Sequence, residues 1–375
     1  MRELVELLSE LVAVDSTNPD LVAGGAGEAE IGRLLAARLA AAGLEVDCWD
    51  VAPGRPNVVG RLAGTGGGRS LMLFGHMDVV GADPGQFSPQ LRDGRLHGRG
   101  AVDMKGGIAA CVAVVERLAA GAPLAGDVLA AFVSDEEWGS VGAEALVGRH
   151  RADASVLAEP SNLEIVDAHG GFAWFDITST GVDAAGWEAE IGVDAISLLA
   201  PVLSGIGELD AALAGAATER WGRPSVHAST IRGGHTYPAY PGTCELSVER
   251  CLVPGESVAR SQFEIEELLR RARSADARFQ GSYRTVIARE PMVLAEGEPV
   301  VAELAAVAEQ VLGRPVPRRC DIGWGDSGLL VEAGIPCVTF GPIGGGEHTA
   351  DEWVDLESVA RCAEIYELIA RSFCS

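Results

Sequence analysis

Hydrophobic positions along the chain come in two alternating kinds of run. Short blocks that are apolar at nearly every position, Leu71–Phe74, Val128–Val133 and Ser155–Ala158, are separated by longer Ala- and Leu-rich stretches. One such stretch, Met104–Leu118, reads as a helix, and a fourth block, Cys337–Phe340, follows Gly334-Ile335-Pro336 near the C-terminus. A strand apolar on both sides needs cover on both. The pattern therefore predicts an α/β fold with a mainly parallel sheet and helices on both faces. At the N-terminus Leu4, Leu7, Leu8, Leu11 and Val12 recur at helical spacing, which gives an amphipathic first helix. Glu3, Glu6 and Glu10 interrupt its apolar residues, so no signal peptide is expected there.

The middle of the chain reads differently. Phe172–Thr178, Cys244–Val248 and Tyr283–Ile287 have strand character, and helical stretches at Ala195–Leu213 and Ser261–Arg273 lie between them. Strands and helices without regular βαβ alternation predict an inserted α+β domain at 172–288. The α/β domain, 1–171 and 289–375, then resumes with a helix at Ala302–Leu312.

Composition narrows the function classes. Asp and Glu number 54 against 29 Lys and Arg, a net charge of −25. That disfavours nucleic acid and anionic membrane surfaces, both of which call for clustered cations. No apolar stretch is expected to span a bilayer, because Arg, Glu or Asp interrupts each one. The eight cysteines form no CxxC pair and read as packing residues of a reducing, cytoplasmic protein. Gly64-Thr65-Gly66-Gly67-Gly68 lacks a following Gly-Lys-Ser/Thr and reads as a turn.

Candidate chemistry sits at the ends of the apolar blocks. His76 and Asp78 follow the first, Glu136 and Glu137 the second, Glu159 the third, and His348 lies beyond the fourth. In open α/β sheets the carboxyl ends of neighbouring strands converge on one crevice. Asp103, at the start of the intervening helix, can join them. Two imidazoles and three or four carboxylates suit zinc or a similar divalent ion, and suffice for two.

The segments GHMDVV (75–80), GRGAVDMKGG (98–107), SDEEWGSVG (134–142), AEP (158–160) and GGGEHTADEWV (344–354) closely resemble the co-catalytic zinc amidohydrolases. These comprise acetylornithine deacetylase, succinyl-diaminopimelate desuccinylase, aminoacylase and glutamate carboxypeptidase. The insert fits that family's lid domain through Gly192–Ile196 and Ile231–Gly234. The resemblance implies two zinc ions, with cobalt or manganese as alternatives. It assigns His76 and Glu159 to one ion, Glu137 and His348 to the other, and Asp103 as the bridge. Glu136 is implied as general base, Asp78 as the carboxylate orienting His76, and the lid as the interface of a homodimer.

Two positions depart from that pattern. Ala185 stands where the family carries a lid His that stabilises the oxyanion, and Cys251 stands where it carries an Arg for the substrate carboxylate. Arg250 is adjacent, but neighbouring strand residues face opposite sides, which makes it the outward one. His227, His235 and Tyr237 lie on lid segments and are candidates for replacing the lost donor. The sequence thus predicts a dizinc hydrolase of an amide in a small metabolite, with altered substrate recognition. Its alternatives are the same scaffold running a condensation, cyclisation or elimination, and a metal-holding binding protein without catalysis.

Overall fold

The structure, a computed structural model, describes residues 1–375. The chain forms two compact units. The first comprises 1–167, 294–319 and 325–375, and the second 168–293 with 320–324.

In the first unit, strands β1 (Glu45–Ala52), β2 (Arg55–Leu62), β3 (Leu71–His76), β4 (Val128–Val133), β5 (Ala154–Leu157) and β6 (Ile165–His169) share a sheet with β11 (Cys337–Thr339). The order along it is β1-β2-β4-β3-β5-β11-β6. The four apolar blocks are its parallel centre, since β4, β5 and β11 all run parallel to β3 or to one another. Every residue of β3, β4 and β5 is buried, as strands covered on both faces must be. From β3 the chain passes through the helix Gly106–Ala119 to β4 on one side of β3. It then passes through the helix Val141–Arg149 to β5 on the other. That reversal opens a crevice beyond the carboxyl end of β3.

The helix after Asp103 starts at Gly106, two residues later than the periodicity suggests, because 101–105 make an irregular turn. Gly107 permits the helix to lie close to β5, since a Cβ there would come within 2.1 Å of the Ala158 carbonyl oxygen. This approach sets Asp103 beside the segment that carries Glu159.

The second unit is an antiparallel sheet of four long strands in the order β8-β9-β7-β10. They are β7 (Gly171–Thr180), β8 (Ser225–Gly233), β9 (Thr243–Leu252) and β10 (Gln280–Arg289). Alternate residues Ala173, Phe175 and Ile177 form a core with Leu199, Val202, Ile265 and Leu269 of the helices Ala195–Ala214 and Val258–Ala275. Two sequence expectations meet the structure here, and the second of them changes. The helix Ala195–Ala214, with 20 residues and a mean hydropathy of 1.5, is long and apolar enough to cross a membrane by length and composition. Its Leu199 and Val202 side belongs to the unit's core, and Asp194 caps its start by accepting from the Ile196 and Ser197 amides. Arg250 is not outward. It is buried and paired with Glu256 and Glu264, on the helix-covered side of β9.

Candidate metal centre

Seven sequence-selected residues of the first unit lie in the crevice. His76 ends β3, Asp78 follows it, Glu136 and Glu137 follow β4, and Glu159 follows β5. Asp103 sits in the turn before the helix Gly106–Ala119, and His348 lies in the loop beyond β11. They form two donor groups, His76/Asp103/Glu159 and Asp103/Glu137/His348, with Asp103 common to both. Nε2 of His76 lies 3.1 Å from Asp103 Oδ1 and 3.1 Å from Glu159 Oε1. Nε2 of His348 lies 3.2 Å from Asp103 Oδ2 and 3.2 Å from Glu137 Oε2. Ligands about 2.0–2.1 Å from a tetrahedral ion stand roughly 3.3 Å apart, so these spacings fit such an ion in each group. Asp103 offers one oxygen to each.

The electrostatics point the same way. Burial and neighbouring carboxylates raise the Glu159 pKa to about 8 despite His76, and they also raise Glu136 and Glu137. Hydrogen bonds to Asp103 and Glu137 raise His348 to about 10. Burial opposes the charge on His76, yet Glu159, Asp103 and Asp78 lift its pKa well above the usual imidazole range. So many acidic groups in one crevice call for positive charge between them, which divalent ions would supply.

Asp78 is more than a support for His76. It is the backbone carbonyl of Asp78 that lies 3.0 Å from His76 Nδ1, while the nearer carboxylate oxygen stands at 3.6 Å. A carbonyl only accepts, so Nδ1 keeps its proton, and Nε2, which faces the Asp103 and Glu159 carboxylates, is the nitrogen that would give its lone pair to an ion. The buried Asp78 carboxylate instead accepts from the Glu136 and Glu137 amides, both at 3.1 Å, and from Asn18 Nδ2 at 2.8 Å. It ties the β3 end to the turn that carries both glutamates.

Three supporting groups were not picked out from the sequence. Asp135 adopts a left-handed backbone (φ 75°), which costs energy for a non-glycine residue and is held by Asn18 and buried Arg55. Arg55 also pairs with Glu28 and Asp20. Glu352, buried, accepts from the amides of Gly100, Val102 and Asp103 and pairs with Arg99. A cap-like spacing signals none of these, because each bridges segments far apart in sequence. Glu352→Gln is expected to weaken metal affinity by about 10–100-fold, the range for outer residues that orient ligands. Competition against a chromogenic chelator would measure it; unchanged affinity would remove Glu352 from the account.

The other candidates lie on the second unit. Ala185 belongs to a two-residue strand paired with Ala239–Tyr240, Tyr237 is fully exposed, and His235 is exposed in the turn after β8. His227, on β8, is 3.5 Å from Glu249, and Cys251 is a half-buried free thiol on β9. The structure gathers the seven crevice residues; these five are spread over that unit's strands and turns. His150 caps the end of the helix Val141–Arg149, pairs with Asp47 and packs on Trp49.

The family model for "Peptidase family M20/M25/M40" matches residues 72–372. An N-formyl-4-amino-5-aminomethyl-2-methylpyrimidine deformylase of Bacillus subtilis is 29% identical, over 100% of this chain and 95% of that protein. A succinyl-diaminopimelate desuccinylase of Xanthomonas euvesicatoria is 28% identical, over 98% of each chain. Among solved structures, aminopeptidase PepT from Bacillus cereus superposes with a TM-score of 0.82 at 22% identity, covering 100% of this chain and 99% of its own.

Proposed function

The chain belongs to peptidase family M20/M25/M40 and is a metal-dependent hydrolase, and from that premise we propose that it uses two zinc ions to cleave an amide bond in a small N-acylated metabolite. The observation that carries this is Asp103, whose two oxygens face two separate His- and Glu-containing groups. In this reading His76 and Glu159 hold one ion, Glu137 and His348 the other, and Asp103 bridges. When bound, the ions would acidify a water and polarise the scissile carbonyl. Glu136 belongs to neither donor group, so its carboxylate is free to take the water's proton and pass it to the leaving amine. Asp78, by accepting from the amides of Glu136 and Glu137, holds the turn that carries both side chains.

Substrate recognition differs from that of an N-acyl amino acid hydrolase. Ala185 carries no side-chain donor and Cys251 no cation, while Arg250 is committed to Glu256 and Glu264. The preferred substrates are therefore amides without a carboxylate beside the scissile bond. The deformylase relative's substrate, a formylated aminomethylpyrimidine by its name, is of that kind. A cytoplasmic homodimer joined through the second unit belongs to the same reading. Its support is β8, an edge strand of nine residues, most of them exposed. The test is a panel of N-formyl and N-acetyl amines, with and without an α-carboxylate, assayed before and after chelation. Metal-dependent turnover with higher kcat/KM on the carboxylate-free amines is expected; no metal-dependent cleavage of any amide would overturn the reading.

A further inference from the structure

Aromatic residues are scarce in this chain, 5% of the total, yet several meet on one face of the second unit. On β7 the odd-numbered residues from Ala173 to Ile177 face the helices, so Phe172 and Trp174 point to the opposite side, where both are half-buried. Their ring centroids are 5.0 Å apart, and Trp324 stands edge-on to Phe172 at 5.9 Å. Strand register places Glu249 directly beside Trp174. The indole Nε1 of Trp174 donates to Glu249 Oε1 at 2.9 Å, which fixes the ring and leaves Oε2 beside exposed His227.

A second acceptor adjoins this face. Nδ1 of His169 donates to the Gly170 carbonyl, so Nε2 is the unprotonated nitrogen, and it is buried without a hydrogen-bond partner. The His169 ring packs edge-on against Trp324 at 6.1 Å. The Arg289 guanidinium also lies over the Trp324 ring at 5.5 Å, so these flat faces, flanked by two acceptors and a donor, suit a flat uncharged ligand that brings N–H donors and ring-nitrogen acceptors.

We propose that this face binds a flat, amino-bearing heteroaromatic ring, stacked on Phe172 and Trp174 with its N–H groups directed at Glu249. Assigning that ring to the hydrolysed substrate rests on the amide-hydrolase reading; binding of the ring itself does not.

The full-length protein, stripped of metal, should be titrated calorimetrically with 4-aminopyrimidine, and separately with benzoate and cyclohexylamine. A single saturable site for 4-aminopyrimidine is expected, with the flat anion and the saturated amine each at least about tenfold weaker. Trp174→Ala should weaken binding roughly tenfold or more, within the range for loss of one stacking partner, while Trp174→Phe largely preserves it. Glu249→Gln should weaken 4-aminopyrimidine about tenfold but leave unsubstituted pyrimidine unchanged. No saturable binding of 4-aminopyrimidine, equal binding of benzoate or cyclohexylamine, or an unaffected Trp174→Ala variant would overturn the proposal. Failure of amide cleavage with ring binding intact would count only against the hydrolase reading.

Discussion

Replacing Glu136 by glutamine is expected to lower kcat by about 10²–10⁴-fold, the contribution typical of a positioned proton carrier, with metal content and KM nearly unchanged. Glutamine preserves the shape and the backbone amide that donates to Asp78 Oδ1, so the turn after β4 should survive. What it removes is a carboxylate that adjoins Glu137, belongs to neither donor group and, unlike that of Asp78, is not engaged by the Glu136 and Glu137 amides. Burial and the nearby Asp326, Glu159 and Glu137 raise its pKa despite His76, which favours a group that accepts and returns a proton. Steady-state kinetics with metal analysis on the same preparation would check it. A fall in kcat of less than about tenfold would deny Glu136 the role of base. A fall that tracked lost metal would assign it to the ligands instead.

Asp103→Ala is expected to act more broadly, because that side chain serves both donor groups. Its loss should reduce bound metal to one ion per chain or fewer and lower kcat/KM by at least about a thousandfold, beyond the range for outer-residue changes. The thermal response should separate ligand loss from misfolding. Divalent ions that bind the native state raise Tm by mass action, so the parent protein should gain stability on adding zinc and the variant should gain much less. A variant that bound two ions with parent affinity would show that Asp103 is not the bridge.

Most of the centre was legible in the sequence, and the reason is topological. Parallel strands buried on both faces betray themselves as unbroken apolar blocks, and their ends must converge, so the sequence itself brings His76, Glu137, Glu159 and His348 together. The residues that hold these candidate ligands in place were not legible in that way. Glu352 reaches Asp103, and Arg55 reaches Asp135, across long sequence separations, and no local period records such bridges. Chain segmentation was also only partly visible. Residues 320–324 return to the second unit after the chain has re-entered the first, and five residues carry no compositional mark of that excursion. Helix Ala195–Ala214 shows the reverse case: its length and apolar character would admit a bilayer, Glu208 and Asp210 argue against one, and packing on a sheet accounts for Leu199 and Val202. Arg250 illustrates a third. Strand alternation separates it from Cys251, but only the partners Glu256 and Glu264 reveal that its side is the buried one.

The proposed reaction requires one crevice to hold two metal ions bridged by Asp103. Metal analysis of the purified, catalytically active protein, followed by chelation and stepwise readdition of zinc during an amide-cleavage assay, tests it most directly. Two ions per chain are expected, with the rate falling to background on chelation and recovering as both sites fill. Full amide hydrolysis by protein stripped of metal, or maximal activity with a single ion bound, would contradict it.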